Sequence, residues 1–288
     1  MKRKSFKYPV IVFIVTVLVC VIVNLWVSNK CFKITHYDIE TRVTDSVRIV
    51  HLTDLHCAQF GEKNQKLISA VKEQKPDLIF VTGDLVNLYD EDYSVAAEFL
   101  SSLNPIAPVY CVMGNHEISN IQNFGNNLYK IYRDTGVTVL ERSWCDVEIK
   151  GQKLRIGGLY GLCFPYPSDS QTDRVDESLF AEQFQDTDRT KLLLCHRPVS
   201  WIERPALDYW DIDAVFCGHA HGGQIRIPFV GALVAPDQGF FPGRDKGVYK
   251  SKDGTKTMIL STGLGGTNPV PRFNNIPEIV TVDLIPNK

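Results

Sequence analysis

Five short motifs in this chain combine aspartate, asparagine or histidine, and each follows a short apolar run. Carboxylate, amide and imidazole groups suit Mn, Fe or Zn better than Ca, and no cysteine is spaced as a thiolate zinc ligand would be. Five of the seven histidines belong to this set, which therefore predicts a site for divalent metal ions. In chain order the motifs are Asp54-Leu55-His56, Gly83-Asp84, Gly114-Asn115-His116-Glu117, His196 and Gly218-His219-Ala220-His221.

The apolar runs before these motifs have the length and composition of strands that are buried on both faces of a parallel sheet. Ligands bind at the carboxyl ends of such strands, so the polar groups that follow them should lie close together. Within Asp54-Leu55-His56 and His219-Ala220-His221 we expect an extended backbone, which places both ligand side chains on one side. The predicted strands are 47–53, 78–82, 109–113, 192–195 and 214–217.

The spacing of the first three motifs suits one strand–helix–strand unit each, because Asp54, Asp84 and Asn115 are 30 and 31 residues apart. Shorter, alternating runs at 137–140, 145–150 and 153–159 indicate an antiparallel hairpin region. Two packed sheets with helices outside are therefore favoured over one barrel. The predicted helices are 62–75, 92–103, 126–135, 177–184 and 200–209, and further strands are 224–228, 247–250, 256–262 and 278–284.

The N-terminus has the pattern of a membrane anchor. Residues 9–27 carry no charge, and as a helix they span roughly 28 Å, close to the hydrocarbon thickness of a bilayer. No small-residue cleavage site follows, which favours an uncleaved anchor over a signal peptide. The basic residues before it predict a single-pass protein of the cell membrane with its large domain outside the cytoplasm. The predicted divisions are a basic flank at 1–8, the anchor at 9–27, a connector at 28–45 and one domain at 46–288.

Composition excludes some classes of protein. The 31 Lys and Arg residues against 33 Asp and Glu residues give a net charge of −2, whereas a nucleic-acid-binding protein needs a basic patch against phosphates. Seven of the eight cysteines follow the apolar segment, and an odd number leaves at least one unpaired on an oxidising side. We therefore expect no disulfide framework, which either a weakly oxidising exterior or a reversed topology would accommodate.

Taken in order, the five motifs resemble those of the calcineurin-like metallophosphoesterase superfamily, and Gly222-Gly223-Gln224 with the stretch 268–278 resembles its membrane-anchored bacterial phosphohydrolases. The resemblance implies an α/β fold, a four-layer α/β/β/α sandwich, here preceded by a transmembrane helix. It also implies two divalent ions with Asp84 as the bridging ligand, which suits the ~3.5–4 Å spacing of two-metal phosphoryl chemistry. The other implied ligands are Asp54, His56 and His221 for one ion, and Asn115, His196 and His219 for the other.

The same resemblance implies hydrolysis of a phosphoester by a hydroxide that bridges the ions, since metal binding makes deprotonated water available near neutral pH. His116 would act as general acid for the leaving group or hold the transition state. Glu117 would orient His116 or begin a turn, and the residues leave both open. His51 lies within a predicted strand, where we expect packing or a hydrogen bond rather than a metal.

The expected substrate follows from the anchor. An enzyme held at a membrane lies near lipids and envelope precursors, so we expect a phosphodiester or pyrophosphate bond in a phosphorylated small molecule or lipid. Arg272 could approach a substrate phosphate, or lie in a surface loop. Phe240 and Phe241 could contact an acyl chain or the bilayer, or pack against the core. The alternatives are a broad phosphomonoesterase or nucleotide phosphodiesterase, and a metal-binding scaffold without activity.

Overall fold

The computed structural model describes residues 7–161, 173–202, 206–267 and 270–287. Besides two 3₁₀ turns at Glu62–Asn64 and His221–Gly223, these residues form sixteen strands and eight α-helices. The strands are β1 (Lys33–Thr41), β2 (Val47–Leu52), β3 (Leu78–Thr82), β4 (Val109–Val112), β5 (Thr138–Val139), β6 (Ser143–Ile149), β7 (Gln152–Leu159), β8 (Thr190–Cys195), β9 (Ala214–Cys217), β10 (Arg226–Ile227), β11 (Gly231–Ala232), β12 (Val234–Ala235), β13 (Gly239–Phe240), β14 (Gly247–Lys250), β15 (Thr257–Leu260) and β16 (Glu278–Pro286). The helices are α1 (Lys7–Lys30), α2 (Gln65–Glu73), α3 (Ser94–Leu103), α4 (Asn115–Phe124), α5 (Leu128–Asp134), α6 (Asp173–Gln185), α7 (Val199–Ile202) and α8 (Ala206–Tyr209).

Two six-stranded sheets contain most of the strands. The first has the order β1-β16-β2-β3-β4-β5, and the second has the order β14-β15-β9-β8-β7-β6. In the first sheet β2, β3 and β4 run parallel, and in the second sheet β7, β8 and β9 run parallel. In each sheet the strands that precede the motifs therefore end at the same edge, as the sequence predicts.

Three apolar layers separate the sheets and helices. Phe80 and Phe216 meet between the two sheets with ring centroids 4.9 Å apart. Leu67 and Phe99 pack on the outer side of the first sheet from α2 and α3, and Trp201 packs on the outer side of the second from α7. A strand between two apolar layers needs apolar residues on both faces. The fold is therefore the four-layer α/β/β/α sandwich that the sequence implies.

Helix α1 is exposed along most of its length. Its side chains are exposed from Tyr8 to Val23, and from Asn24 onward all but Trp26 and Lys30 are partly or fully covered by the rest of the protein. The helix is long and apolar enough to cross a membrane, and its 24 residues span about 36 Å. It fits a single-pass membrane anchor, and the predicted segment 9–27 lies within it.

The structure differs from the sequence analysis at one short strand and contains one helix that was not predicted. Residues 137–140 do not join the hairpin region, because β5 pairs in parallel with β4 of the first sheet, while β6 and β7 form the hairpin. Helix α4 was not predicted, because its apolar residues are too few for a clear helical period. It begins after Gly114, whose N–H donates to the Glu117 carboxylate at 2.8 Å.

The predicted connector contains a strand, and the described cysteines form no disulfides. Within 28–45, Lys33–Thr41 forms β1, an edge strand that runs parallel to β16. The cysteines at 20, 31, 57, 111, 145, 195 and 217 are free thiols, and Cys163 lies outside the described residues.

Candidate metal centre

Five strand ends from the two sheets meet at one site. Across the gap between the sheets, the His219 N–H donates to the two Asp54 carboxylate oxygens at 3.1 and 3.0 Å. His196 Nδ1 lies 2.6 Å from the carbonyl oxygen of Thr82. The structure thereby brings all seven predicted ligand residues together. They are Asp54, His56, Asp84, Asn115, His196, His219 and His221.

The first group contains two carboxylates and two imidazoles whose ligand atoms all lie within 4.8 Å of one another: Asp54, His56, Asp84 and His221. His56 Nε2 is 3.7 Å from Asp84 Oδ2, and His221 Nε2 is 3.5 Å from Asp54 Oδ1. The Nε2 atoms of His56 and His221 are only 3.3 Å apart. Two imidazole nitrogens that face one another and two carboxylates suit a shared cation.

The second group shares Asp84 with the first. Asp84, His196 and His219 also offer ligand atoms within 4.8 Å of one another. His196 Nε2 is 3.3 Å from Asp84 Oδ2 and 3.0 Å from Asn115 Oδ1. The asparagine therefore places an uncharged oxygen beside this group.

The Asp84 carboxylate shows that these residues suit metal ions. Its Oδ1 accepts a hydrogen bond from the His116 N–H at 2.8 Å. Its Oδ2 is buried and has no hydrogen-bond partner. A buried carboxylate oxygen without a partner costs several kcal/mol. Cations bound by both groups would remove that cost, since His56 Nε2 of one group and His196 Nε2 of the other lie 3.7 and 3.3 Å from this oxygen.

Protonation of the histidines follows from burial and from Asp84. Burial lowers the pKa of His56 to about 4 and lowers the pKa of His221 well below its usual range, so both rings keep the lone pairs that a metal needs. Burial also disfavours charge on His196, but the adjacent Asp84 carboxylate outweighs it and raises the pKa of His196 to about 10. The Asp84 carboxylate thus favours a positive charge beside it, and a bound cation would take the place of the proton on His196 Nε2.

The ligand residues occupy unusual backbone conformations. Five have positive φ angles, and no glycine is among them, whereas the sequence prediction was an extended backbone in Asp-x-His and His-x-His. Such conformations cost free energy and persist where the surrounding structure holds them, which is common at functional sites. The five φ angles are 54° at Asp54, 47° at His56, 54° at Asp84, 68° at His219 and 49° at His221.

Two motif glycines are required by close packing rather than by their own φ angles. A Cβ atom on Gly114 would lie 2.1 Å from Asp84 Oδ1. A Cβ atom on Gly218 would lie 2.4 Å from Asp54 Oδ2 and 2.1 Å from the hydroxyl oxygen of Thr53. Only glycine leaves room for the carboxylates at these positions.

The sequence matches the family model of the calcineurin-like phosphoesterases over residues 47–223, a range that includes every predicted ligand. The chain belongs to the calcineurin-like phosphoesterase family. It is 29% identical to the metallophosphoesterase YkuE of Bacillus subtilis over 83% of this chain and 79% of that protein. It is 28% identical to the phosphodiesterase YaeI of Escherichia coli over 83% of this chain and 82% of that protein. Among solved structures, the phosphopantetheinyl hydrolase PptH of Mycobacterium tuberculosis matches with a TM-score of 0.48 and 13% identity, covering 77% and 92% of the two chains.

This calcineurin-like phosphoesterase is therefore a metal-dependent phosphohydrolase.

Backbone and side-chain contacts orient two of its histidines. The Thr82 carbonyl oxygen contacts His196 Nδ1, and Asn87 Oδ1 lies 3.1 Å from His56 Nδ1. In both rings Nε2 is left to face the centre. Partners of this kind fix the ring and its tautomer for metal binding.

Glu117 connects the loops of the phosphoesterase that contain Asp84 and Gly114. Its buried carboxylate accepts hydrogen bonds from the N–H groups of Asp84 at 2.8 Å, Leu85 at 2.6 Å and Gly114 at 2.8 Å. It also accepts a hydrogen bond from the hydroxyl of Tyr132 at 3.0 Å. Of the two roles that the sequence leaves open, Glu117 starts the turn into α4 and holds the Asp84 loop beside it.

Asp237 is a site residue that the sequence analysis missed. One of its carboxylate oxygens lies 2.9 Å from His219 Nε2, and the same oxygen accepts hydrogen bonds from Arg197 at 3.0 and 2.6 Å. The hydrogen bond from His219 lowers the pKa of Asp237 well below its usual range. With Nε2 occupied in this way, Nδ1 is the nitrogen of His219 that remains for a metal.

We expect Asp237→Ala to weaken metal binding by about 10- to 100-fold, because His219 loses the carboxylate that orients it. Metal titration followed by calorimetry would measure this. Asp245→Ala is the matched control, because Asp245 also pairs with an arginine, Arg226, at 2.8 Å. Equal metal affinity in wild type and Asp237→Ala would show that the pair does not support the site.

His116 lies at the edge of the centre and is partly open to solvent. Its Nε2 is 3.9 Å from Asp84 Oδ2, and its side chain is 20% exposed. Its ring meets the His56 ring edge to face, with centroids 4.6 Å apart. Its Nδ1 is buried without a partner, so Glu117 does not orient this ring.

The predicted substrate residues lie in two different environments. Arg272 is 1% exposed, so it is not a surface-loop residue. Its guanidinium donates to the carbonyl oxygens of Gly265 at 2.7 Å and Thr262 at 2.6 Å. Phe240 and Phe241 are 74% and 60% exposed, so they do not pack into the core.

His51 is a core residue, as the sequence predicts. It is fully buried, and its Nε2 lies 2.8 Å from the Thr82 hydroxyl oxygen. Its ring meets Phe216 edge to face at 5.5 Å. Burial lowers its pKa to about 3, so the ring is neutral at physiological pH.

Proposed function

We propose that this protein is a membrane-anchored phosphoesterase that hydrolyses a phosphodiester or pyrophosphate bond with two divalent ions. The observation that carries the proposal is Asp84, which belongs to both groups of candidate ligands and whose buried Oδ2 has no hydrogen-bond partner. A carboxylate oxygen in that position is suited to bridge two cations.

The residues divide between the ions around Asp84. In this proposal one ion is held by Asp54, His56 and His221 together with Asp84, and the other by Asn115, His196 and His219 together with Asp84. Mn, Fe and Zn suit this mixture of oxygen and nitrogen donors. When bound, such ions lower the pKa of water and neutralise charge on phosphoryl oxygens.

His116 is proposed to act on the leaving group of the reaction, as a proton donor or through a hydrogen bond to the transition state. In the reaction an oxygen of water forms a bond to phosphorus, the bond from phosphorus to the leaving oxygen breaks, and that oxygen takes up a proton. His116 Nε2 is near Asp84, and its side chain is partly open to solvent. It is placed to donate that proton, or to hydrogen-bond the transition state.

The proposed membrane attachment is supported by the length and apolar composition of α1. The proposal assigns 1–8 as a basic flank, 9–27 as the anchor, 28–45 as a connector and 46–288 as the catalytic domain. The basic residues before the anchor favour a cytoplasmic N-terminus and a catalytic domain on the other side of the cell membrane. Protease accessibility of the domain on intact cells measures this orientation.

We expect the purified protein to hydrolyse an aryl phosphodiester when Mn²⁺ is added, and to lose that activity with a chelator. Restoring the activity with excess Mn²⁺ controls for damage by the chelator. Turnover of the matched aryl phosphomonoester tests the first alternative, since a broad phosphomonoesterase prefers the monoester. Metal binding without turnover of either ester would contradict the proposal and favour a scaffold.

A further inference from the structure

The last turn of α1 is hydrogen-bonded to the loop behind the metal centre. The Asn29 side chain donates to the Arg272 carbonyl oxygen at 2.8 Å and accepts from the Arg272 N–H at 3.0 Å. Ser28 is buried, and its hydroxyl accepts from the Asn275 N–H at 3.3 Å. The Asn275 side chain in turn donates to the carbonyl oxygen of His221 at 2.6 Å. The end of the anchor and a candidate metal ligand therefore contact the same loop.

The length of the exposed helix places this loop near the membrane. Sixteen residues from Tyr8 to Val23 are exposed, and they span about 24 Å against about 30 Å for the hydrocarbon core. The next residue, Asn24, already accepts a hydrogen bond from the Asn274 N–H at 2.7 Å. If the exposed segment is embedded in the membrane, the bilayer must reach the protein surface around Asn274.

That surface continues into an apolar face formed by β10 to β13. The Asn274 side chain donates to the Arg226 carbonyl oxygen at 3.3 Å, and the turn after Arg226 presents Phe229 fully to solvent. A cluster of exposed large apolar side chains indicates an interaction surface, and aromatic residues are enriched at membrane interfaces. We call the cluster the hairpin face: Ile227, Phe229, Val230, Val234, Phe240 and Phe241.

Basic residues lie around the same end of α1. A cavity of about 200 Å³ between Asn24 and Ser28 of the helix and the loop at Asn274 is also lined by Lys33 and Lys246. Basic residues at the end of a membrane helix are attracted to anionic lipids at the membrane surface. Their position agrees with a bilayer at this level.

A cleft lies between this end of the anchor and the segment that contains His56. Its volume is about 270 Å³, and it is lined by Asn29 and Lys30 of α1 and by His56 of the centre. Arg272 also lines it, and the Nη1 atom of this buried side chain has no hydrogen-bond partner. Apolar residues line the cleft as well, among them Leu264. Two cationic groups beside apolar residues suit a phosphate that is attached to a hydrophobic chain.

We infer that the hairpin face lies in the bilayer interface, and that the cleft beside His56 receives a phosphate ester of a membrane lipid directly from the bilayer. The inference rests on the proposed phosphoesterase function and names the substrate class of the same site. The lipid phosphate lies toward the metal centre, with Lys30 and the buried, unpartnered Arg272 Nη1 as the cationic groups of the cleft lining. The acyl chains remain toward the membrane.

The test uses the full-length protein with Mn²⁺ in phosphatidylcholine vesicles. Phosphatidylglycerol, phosphatidic acid and a polyprenyl pyrophosphate are added in turn, and each is compared with its water-soluble counterpart without the hydrophobic chain. A soluble aryl phosphodiester is assayed in the same samples. We expect at least one lipid to be hydrolysed with a kcat/KM about tenfold or more above that of its soluble counterpart.

The variant Phe229→Ser/Val230→Ser tests the hairpin face, with Tyr209→Ser as the matched control, since Tyr209 is an exposed aromatic residue on α8. We expect the double variant to lower lipid kcat/KM about tenfold and to keep aryl diester turnover within about twofold, and the control to change neither. If the protein hydrolyses the aryl diester but prefers the soluble counterparts to the lipids, the inference is wrong and the proposed function still stands. A lipid preference that the double variant retains removes the hairpin face from the inference. Absence of all turnover in metal-loaded wild type overturns the proposed function itself.

Discussion

Replacing Asp84 by asparagine is expected to lower turnover of an aryl phosphodiester by about 10³-fold or more and to reduce the metal content of both sites. Asp84 belongs to both groups of candidate ligands, and its Oδ2 atom is buried without a hydrogen-bond partner. In the proposed arrangement, an amide in its place would remove a negative charge from two cations at once. Loss of one strong electrostatic contact in an active site typically costs 10²–10³-fold, and here both proposed sites would lose a ligand together.

Elemental analysis of the purified variant and its steady-state kinetics would measure the two effects. Asp213→Asn is a matched control, because Asp213 is also a buried aspartate but lies just before β9, at the end of the strand opposite to His219. Thermal unfolding of both variants separates loss of metal from loss of fold. Two ions per chain in folded Asp84→Asn would contradict the bridging role.

Replacing His116 by alanine is expected to cut turnover by about 10²–10⁴-fold while metal content stays near that of wild type. His116 belongs to neither group of candidate ligands, and its Nε2 is 3.9 Å from Asp84 Oδ2. Its backbone N–H, which donates to Asp84 Oδ1 at 2.8 Å, is retained in the variant. The ligand geometry therefore survives the loss of the ring.

The leaving group distinguishes the two roles proposed for His116. If the ring donates the proton, the variant loses much less activity with a nitrophenyl ester than with an alkyl ester, because nitrophenolate leaves without protonation. If the ring holds the transition state, the loss is similar for both esters. His36→Ala is the matched control, because His36 lies in the edge strand β1. Unchanged turnover of both esters would remove His116 from the mechanism.

The sequence by itself was enough to predict three features: that the candidate ligand residues lie close together, that short strands precede them, and that the N-terminus forms an apolar helix. Leu78–Thr82 and Ala214–Cys217 are strands with the predicted bounds. A strand buried on both faces must be apolar along its length, and a polar residue is accommodated where it ends. Such patterns are local, so a sequence displays them directly. The apolar stretch 9–27 is local in the same way, since length and absence of charge suffice to predict it.

Only the tertiary structure decided what holds these residues in place. Asp237 supports His219 from 18 residues away, and Asn29 contacts Arg272 across 243 residues. Glu117 was visible in its motif, yet its role depends on Asp84, which belongs to another loop. The left-handed backbone at Asp54 and Asp84 likewise persists because packing and hydrogen bonds from other segments hold it. These features are contacts between distant parts of the chain, and no local pattern of residue types encodes which distant groups will meet.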